Sequence, residues 1–90
     1  MPYKLEFTPH GERDFKKLDI SIAKRIKEKL IDLSQYPNPR DLAETIEGDY
    51  STPVYSFHVG DYRVLYVVDD LKNIVFIVRA GHRKNIYRQF

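Results

Sequence analysis

The sequence contains no cysteine, few glycines and no long apolar segment. Without cysteine it forms no disulfide framework, which fits a protein of the reducing cytoplasm. Its four glycines do not cluster into a phosphate-binding loop. Apolar runs such as Ile74 to Ile77 are far shorter than the roughly 20 residues needed to span a bilayer. The first residues also lack the basic and apolar regions of a signal peptide, so neither a membrane helix nor secretion is predicted.

The residues that are present are typical of one small globular domain. The chain has 90 residues, of which 42% are hydrophobic and 31% are charged. Seven tyrosines and five phenylalanines supply more apolar area than a disordered chain carries. A chain of this length rarely divides into two cores. We therefore expect residues 1–90 to form a single domain.

The N-terminal half is predicted to form one strand and two helices. Tyr3 to Phe7 alternates apolar and charged residues, as half-buried strands do. Thr8 followed by Pro9 predicts the start of a short helix. Apolar residues spaced by three and four predict an amphipathic helix over Ser21 to Gln35. Two prolines just beyond this segment require the helix to end by Tyr36.

The C-terminal half is predicted to form three antiparallel strands joined by two tight turns. The strands are rich in β-branched and aromatic residues and cover Val54 to Val59, Tyr62 to Asp69 and Asn73 to Ala80. Gly60-Asp61 matches a two-residue type II′ turn, which places His58 opposite Arg63. A three-residue loop at Asp70 to Lys72 places Arg63 opposite Arg79. The predicted fold is α+β: an N-terminal strand, a two-helix hairpin and an antiparallel meander with a short basic C-terminal segment.

These two registers give the sheet two unlike faces. One face is almost entirely apolar and is expected to lie under the helices. Its residues are Tyr55, Phe57, Val59, Val64, Tyr66, Val68, Ile74, Phe76 and Val78. The other face has a row of three potential cations at one end, formed by His58, Arg63 and Arg79. Neighbouring cations are unfavourable unless an anion or water screens them, so we interpret this row as a site.

The C-terminal segment concentrates positive charge. Residues 1–45 hold nine Lys or Arg against eight Asp or Glu, whereas residues 79–90 hold four basic side chains, one histidine and no acid. This segment is either an ordinary basic C-terminus or a phosphate-binding surface. In the second case the residues that bind RNA phosphate are expected to be Arg79, His82, Lys84 and Arg88.

The residue types at this end of the sheet are those that cleave RNA without a metal. Such cleavage needs a base for the 2′-hydroxyl, cations for the pentacoordinate phosphorane and an acid for the leaving 5′-oxygen. Arg63 and Arg83 would stabilise charge, while His58, His82 or Tyr87 would move protons. Simpler roles stay open. Arg63 could pair with Asp61 or Asp69, His58 could be a hydrogen-bonded surface histidine, and Tyr87 could pack the tail against the sheet. No spacing of histidines and carboxylates indicates a metal site, and no other cofactor is expected.

Two strings of residues resemble motifs of the RelE/ParE superfamily of toxins, in particular its RelE-like branch. Val59-Gly60-Asp61-Tyr62-Arg63-Val64-Leu65-Tyr66 is similar to the central hairpin of that family. Ala80-Gly81-His82-Arg83-Lys84-Asn85-Ile86-Tyr87 is similar to its closing motif. The resemblance covers the whole chain.

The resemblance implies a metal-independent endoribonuclease that cleaves mRNA in the ribosomal A site. The catalytic arginines of the family fall on Arg63 and Arg83, and its C-terminal tyrosine falls on Tyr87. The family typically has basic residues before the Gly-Asp turn, where this sequence has Val54 and Ser56. We hypothesise that His58, which follows on the same face, serves as general base or phosphate ligand.

The resemblance also implies partners. A cognate RelB-like antitoxin is expected to neutralise the toxin, and two toxins bridged by an antitoxin dimer are common in such systems. An apolar strip lies behind the cationic row and consists of Leu65, Val67, Val75 and Ile77. It is too large to stay exposed, so an antitoxin segment is expected to cover part of this face or the adjoining helix groove, with its acidic residues near Arg63 and Arg83. Two other functions are possible for a chain of this type: inhibition of DNA gyrase, as in ParE-like members, or antitoxin binding by a toxin that has lost its activity.

Overall fold

The structure of the protein, a computed structural model, describes residues 2–47 and 53–86. In chain order its elements are β1 (Lys4–Phe7), α1 (Pro9–Lys16), α2 (Ile20–Gln35), a 3₁₀ helix (Pro39–Leu42), β2 (Thr45–Glu47), β3 (Val54–Val59), β4 (Tyr62–Asp69), β5 (Ile74–His82) and α3 (Arg83–Ile86). The five strands form one sheet in the order β1-β5-β4-β3-β2. β1 runs parallel to β5, and the other neighbouring strands are antiparallel. The predicted α+β class is confirmed.

The first helix begins where the sequence predicts. Oγ1 of Thr8 accepts a hydrogen bond from the amide of Gly11 at 3.1 Å, and Pro9 occupies the first turn, where its missing N–H leaves no bond unmade. The backbone of Gly11 lies directly against the carbonyl oxygen of Ile77 in β5. α1 therefore packs against β5 with no side chain between the two backbones at this position.

The second helix supplies most of the apolar residues that face the sheet. Ile26, Leu30 and Leu33 lie on one side of α2 and are buried. They pack in one core with residues of three strands, among which are Phe57, Val64, Tyr66, Val75 and Ile77. The helix ends at Gln35, before the prolines, as predicted. Among the described residues, no helix has the length and apolar character needed to cross a membrane.

The first hairpin has the predicted register. His58 pairs with Arg63 and Val59 pairs with Tyr62 across the Gly60-Asp61 turn. Gly60 has a φ of +59°, while Asn73 is the non-glycine residue with positive φ in the described chain. In the Gly60-Asp61 turn the first central residue therefore has positive φ and the second does not, which is the conformation of a type II′ turn.

The predicted register of the second hairpin is wrong. Asp69 pairs with Ile74, so the loop has four residues, and the pairing shifts again between Leu65 and Tyr66. Arg63 therefore pairs with Gly81, and Arg79 pairs with Leu65. The physical reason is that Asn73 adopts a φ of +55° and belongs to the turn, a conformation that asparagine tolerates better than most residues.

From Ile74 to Ile77 this register error exchanges the two faces of β5, and the second shift restores the predicted alternation from Arg79 onward. A slip of one residue moves every side chain to the opposite face. Val75 and Ile77 are fully buried in the core under the helices, although the sequence analysis placed them in the open apolar strip. Val78, predicted for the helix side, instead packs on the opposite face.

The face of the sheet opposite α1 and α2 has a small apolar cluster of its own. Val54, Leu65 and Ile86 are buried there, and Val67 and Val78 pack against them. Ile86 belongs to α3, so the residues after β5 fold back over this face. The predicted apolar strip is thus confirmed for Leu65 and Val67, but α3 covers part of it within the chain itself.

The structure contains an edge strand that the sequence analysis did not predict. β2 pairs with β3 through Thr45 with Ser56 and Ile46 with Tyr55. Its three residues are too few and too polar for the pattern of a strand to be visible. The residues between β2 and β3, from 48 to 52, lie outside the described residues, as do Tyr87 and Arg88.

Candidate active site

The first hairpin and the start of α3 bring three predicted site residues together. His58 on β3 lies opposite Arg63 on β4. The amide of Arg83 donates a hydrogen bond to the carbonyl oxygen of Asp61 at 2.9 Å, which holds the start of α3 against the hairpin turn. His58, Arg63 and Arg83 line one shallow pocket of about 200 Å³ together with residues of that turn. This pocket is the candidate active site.

A carboxylate that the sequence analysis missed contacts two of these residues, His58 and Arg63. Oε1 of Glu44 is 2.5 Å from Nδ1 of His58 and accepts a hydrogen bond from Nη1 of Arg63 at 3.3 Å. Its other oxygen lies 3.8 Å from Nζ of Lys29 on α2. Glu44 directly precedes β2, and its backbone amide donates a hydrogen bond to the carbonyl oxygen of Ser56. The pairing of β2 with β3 therefore positions Glu44, and that pairing had no clear sequence signal.

The surroundings of Glu44 keep its carboxylate ionised. Burial alone would raise the pKa of Glu44. The hydrogen bond with His58 and the charges of His58, Lys29 and Arg63 outweigh that effect, so the pKa lies below its ordinary value. At neutral pH Glu44 thus places a negative charge beside His58 and Arg63.

The pocket is open enough for a large substrate. The side chain of His58 is 53% exposed and that of Arg83 is 65% exposed. Nε of Arg83 lies 3.9 Å from Oδ1 of Asp61, and this exposed pair is weak, because water screens both charges. Arg83 is therefore available to bind an anion. Arg63 pairs with Glu44 rather than with the aspartates considered from the sequence.

The structure does not place Arg79 in a row with His58 and Arg63. Nε of Arg79 donates to Oδ2 of Asp14 on α1 at 2.6 Å. Each of these two side chains is only 12% exposed. The predicted row of three cations is therefore wrong: it followed from the incorrect register of β5, and Arg79 instead links α1 to the sheet.

The other residues predicted to bind phosphate are His82, Lys84 and Arg88. The ring of His82 contacts that of Tyr62 edge-on, with ring centroids 5.4 Å apart. Nδ1 of His82 accepts a hydrogen bond from the amide of Lys84 at 3.1 Å, so His82 caps the start of α3. The side chain of Lys84 is exposed. Tyr87 and Arg88 lie outside the described residues.

The arrangement offers proton transfer and anion binding. Imidazole can accept a proton near neutral pH, and the two guanidinium groups can donate paired hydrogen bonds to a phosphate. Within residues 2–47 and 53–86, no group of three or more His, Asp or Glu side chains is placed to hold a metal ion.

The chain is similar to toxins of toxin–antitoxin systems. Residues 5–87 match the family described as the ParE toxin of type II toxin–antitoxin systems, parDE. Over 92 residues the chain is 36% identical to toxin RelG of Mycobacterium tuberculosis, covering 99% of this chain and 100% of RelG. It is 27% identical over 84 residues to the mRNA interferase toxin RelE of Escherichia coli, covering 93% and 86%.

A solved structure supports the same relationship. The fold matches a chain in the crystal structure of the toxin–antitoxin complex RelBE2 from Mycobacterium tuberculosis with a TM-score of 0.77 and 31% sequence identity. The match covers 94% of this chain and 95% of that chain.

Proposed function

This chain belongs to the family of ParE toxins of type II toxin–antitoxin systems, and from its likeness to the mRNA interferase RelE we propose that it is a ribosome-dependent endoribonuclease that cuts mRNA and so inhibits translation. Its similarity to a protein named mRNA interferase toxin RelE supports this activity. The observation that carries the proposal is the pocket in which His58, Arg63 and Arg83 meet. Its proposed place of action is the cytoplasm, where ribosomes and mRNA are found.

In the proposed reaction the 2′-oxygen of the RNA attacks the adjacent phosphorus. His58 takes the proton of the 2′-hydroxyl, and the new bond from the 2′-oxygen to phosphorus gives a pentacoordinate phosphorane. Arg63 and Arg83 donate hydrogen bonds to its equatorial oxygens, whose charge increases in the transition state. The bond from phosphorus to the 5′-oxygen then breaks, and Tyr87 is proposed to protonate the leaving oxygen. The products are a 2′,3′-cyclic phosphate and a 5′-hydroxyl.

The assignment of the base to His58 is supported by what surrounds the two positions where the family usually has basic residues. Val54 and Ser56 are both buried, and the hydroxyl of Ser56 is hydrogen-bonded to that of Thr45. Neither residue can supply a cation or accept the proton. His58 is the next residue on the same face of β3, and it lines the pocket.

The proposed partner is a cognate RelB-like antitoxin. The RelBE2 structure, to which this chain is similar over nearly its whole length, is a toxin–antitoxin complex. We propose that acidic residues of the antitoxin approach Arg63 and Arg83, which would block access of mRNA to the pocket. A complex of two toxins and two antitoxins is the proposed assembly.

Expression of the chain without an antitoxin tests the proposed activity. We expect rapid arrest of protein synthesis and new mRNA 5′ ends within codons that occupy the ribosomal A site. Replacing Arg63 or Arg83 by alanine is expected to slow cleavage on purified ribosomes by about 100-fold, because one donor to the phosphorane is lost. Lys72→Ala is a matched control, because it removes one exposed charge in the turn after β4, at the far end of that strand from Arg63. Full cleavage activity in both arginine variants would contradict the proposal.

The second candidate function is inhibition of DNA gyrase. The description of the matching family as ParE toxins favours this candidate. Plasmid supercoiling, measured in the same induced cells, separates the two functions. DNA damage with intact mRNA would support gyrase inhibition, whereas unchanged growth would indicate a toxin that only binds its antitoxin.

A further inference from the structure

Glu44 forms a pair with His58 that the proposed reaction does not yet use. The two side chains meet through Oε1 and Nδ1 at 2.5 Å. We propose that Glu44 is a positioning residue, which fixes the tautomer and orientation of His58 so that its Nε2 atom accepts the proton of the 2′-hydroxyl. This inference rests on the proposed function, in which His58 is the base.

The direction of the hydrogen bond follows from the charge of Glu44. An ionised carboxylate has no proton to donate, so Nδ1 of His58 must be the donor. In a neutral imidazole one ring nitrogen carries the hydrogen and the other carries the lone pair. With the hydrogen held on Nδ1 by Glu44, the lone pair is on Nε2. Without Glu44, both tautomers compete and the ring is free to turn.

The carboxylate also balances the charge that the reaction creates. When Nε2 takes the proton of the 2′-hydroxyl, His58 becomes an imidazolium ion beside Glu44, which stabilises it. The 2′-oxygen bonds to phosphorus, the 5′-oxygen leaves, and a separate acid protonates it, so Glu44 itself gains and loses no proton. The other charged groups around His58 are Arg25, Glu28 and Lys29 on α2, Asp61 in the turn, Arg63 on β4 and Arg83 on α3.

A role in stability alone would be expected to be small. Glu44 is 34% exposed and His58 is 53% exposed, and water screens ion pairs of this exposure strongly. Arg63 contacts the same carboxylate oxygen of Glu44 as His58 does, and Lys29 lies near the other oxygen. These two contacts fix the position of Glu44 from two further elements. A side chain held from three directions is suited to hold the imidazole in place.

Cleavage kinetics on purified ribosomes test this role. Glu44→Gln is expected to lower kcat by about 10-fold at unchanged KM, because the side-chain amide of glutamine does not favour one tautomer of the His58 imidazole over the other. Glu44→Asp should recover part of the loss. In a His58→Ala background, Glu44→Gln should have no further effect, because Glu44 acts through His58. Glu28→Gln removes a nearby negative charge of the same kind and should leave the rate unchanged.

The pH dependence of the rate gives a second readout. Loss of the Glu44 charge makes protonation of the imidazole less favourable, so the acidic limb of the pH–rate profile should move to lower pH in Glu44→Gln. The shift should be much smaller in Glu28→Gln, because it is Glu44 whose carboxylate is hydrogen-bonded to the imidazole. A Glu44→Gln enzyme with the wild-type rate and profile would overturn the inference, provided that His58→Ala is slow.

The outcomes separate this inference from the function on which it rests. If His58→Ala cleaves as fast as wild type, the assignment of the base is wrong and the positioning role falls with it. If His58→Ala is slow and the loss from Glu44→Gln persists in that background, Glu44 acts independently of His58 and the inference is wrong. Nitrogen-15 NMR of the purified protein provides a measurement without activity: the Nδ1–H tautomer of His58 should dominate in wild type and decline in Glu44→Gln. A dominant Nε2–H tautomer in wild type would also overturn it.

Discussion

Asp14 and Arg79 form an ion pair that belongs to the scaffold. Both side chains are almost buried, and Oδ2 of Asp14 also accepts a hydrogen bond from the amide of Ala80 at 3.2 Å. Nη1 of Arg79 is buried and has no hydrogen-bond partner among residues 2–47 and 53–86. A guanidinium enclosed in this way has little surface left for RNA, so the contact serves to hold α1 on the sheet.

Removing one partner of this pair should destabilise the protein. We expect Asp14→Ala to lower the free energy of unfolding by about 3 kcal/mol, because the charge of Arg79 would stay buried without a counter-ion. Combining Asp14→Leu with Arg79→Met should recover most of that loss, since no unpaired charge remains. Urea denaturation at neutral pH measures both changes. Wild-type stability in Asp14→Ala would show that Arg79 reaches water despite its burial in the structure.

The predictability of the site differs from residue to residue for identifiable reasons. The pairing of His58 with Arg63 follows from Gly60-Asp61, because a two-residue turn leaves one register for the strands beside it. Glu44 could not be found in the same way, since its position depends on a short polar strand with no recognisable pattern. Arg79 was wrongly predicted to lie opposite Arg63, because that pairing depended on the length of the loop between β4 and β5, which the sequence did not determine.

At the scale of elements, the contact of α1 with β5 depends on a glycine. A Cβ atom at Gly11 would collide with the backbone carbonyl of Ile77, which has no flexible end to move aside. We expect Gly11→Ala to lower the free energy of unfolding by about 2 kcal/mol, although alanine favours helices more than glycine does. Gly81→Ala is the control, because a Cβ there meets no atom within 4 Å in the described structure. Equal stability of the two variants, measured by thermal unfolding, would contradict this account.

A polar network joins four elements at the other end of the sheet. Asp70, in the β4–β5 turn, accepts hydrogen bonds from Arg40 at 2.6 and 3.2 Å and from the hydroxyl of Tyr3 at 3.0 Å. Nε of Arg40 donates to the hydroxyl of Tyr55 at 3.0 Å. The network thus ties the 3₁₀ helix and the residue before β1 to β3 and the turn.

This network makes stability depend on pH in the acidic range. The hydrogen bonds from Arg40 and Tyr3 lower the pKa of Asp70 below its ordinary value of 3.8. Because the folded state holds the carboxylate ionised, the contribution is complete above about pH 4 and is lost as pH falls through the lowered pKa. Asp70→Asn should therefore show a smaller loss of stability than wild type between about pH 5 and pH 2, as measured from urea midpoints. Parallel curves for the two proteins would refute this.

The elements with strong periodicity were predictable, and the errors arose where a local conformation interrupts the pattern. α2 and the first hairpin follow directly from the spacing of their apolar residues and from the turn sequence. In the second hairpin, Asn73 extends the loop and an irregularity at Leu65 and Tyr66 shifts the ladder. Both features alter register by single residues, and hydrophobic periodicity does not detect such shifts in a strand that is apolar on both faces.

At the scale of the whole molecule, the net charge of +2 says little about the surface that meets RNA and antitoxin. The positive groups that matter are those that remain accessible after internal pairing. The charge of Arg79 is paired with Asp14 and largely buried, whereas the partner of Arg83, Asp61, is exposed and binds it weakly. Within the described part of the basic segment, Arg83 and Lys84 thus keep accessible charge, whereas Arg79 does not.

This distribution predicts how an acidic antitoxin segment is recruited. Arg83→Glu should slow association with the cognate antitoxin by about 10-fold at low salt, because exposed charges at an interface act mainly on the association rate. The difference should shrink as salt is raised. Stopped-flow or surface-based kinetics measure both, with Lys72→Glu as the charge-matched control. An equal effect of the two reversals would mean that only total charge matters.

The parallel pairing of β1 with β5 constrains the order in which the protein can be completed during synthesis. Lys4 pairs with Ile74, so β1 has no sheet neighbour until nearly the whole described chain has been made. Contacts between residues so distant in sequence form late, after the intervening loop has closed. We therefore expect β1 to join the sheet only after β5 has been synthesised, the same late stage at which Arg83, which follows β5, can complete the pocket.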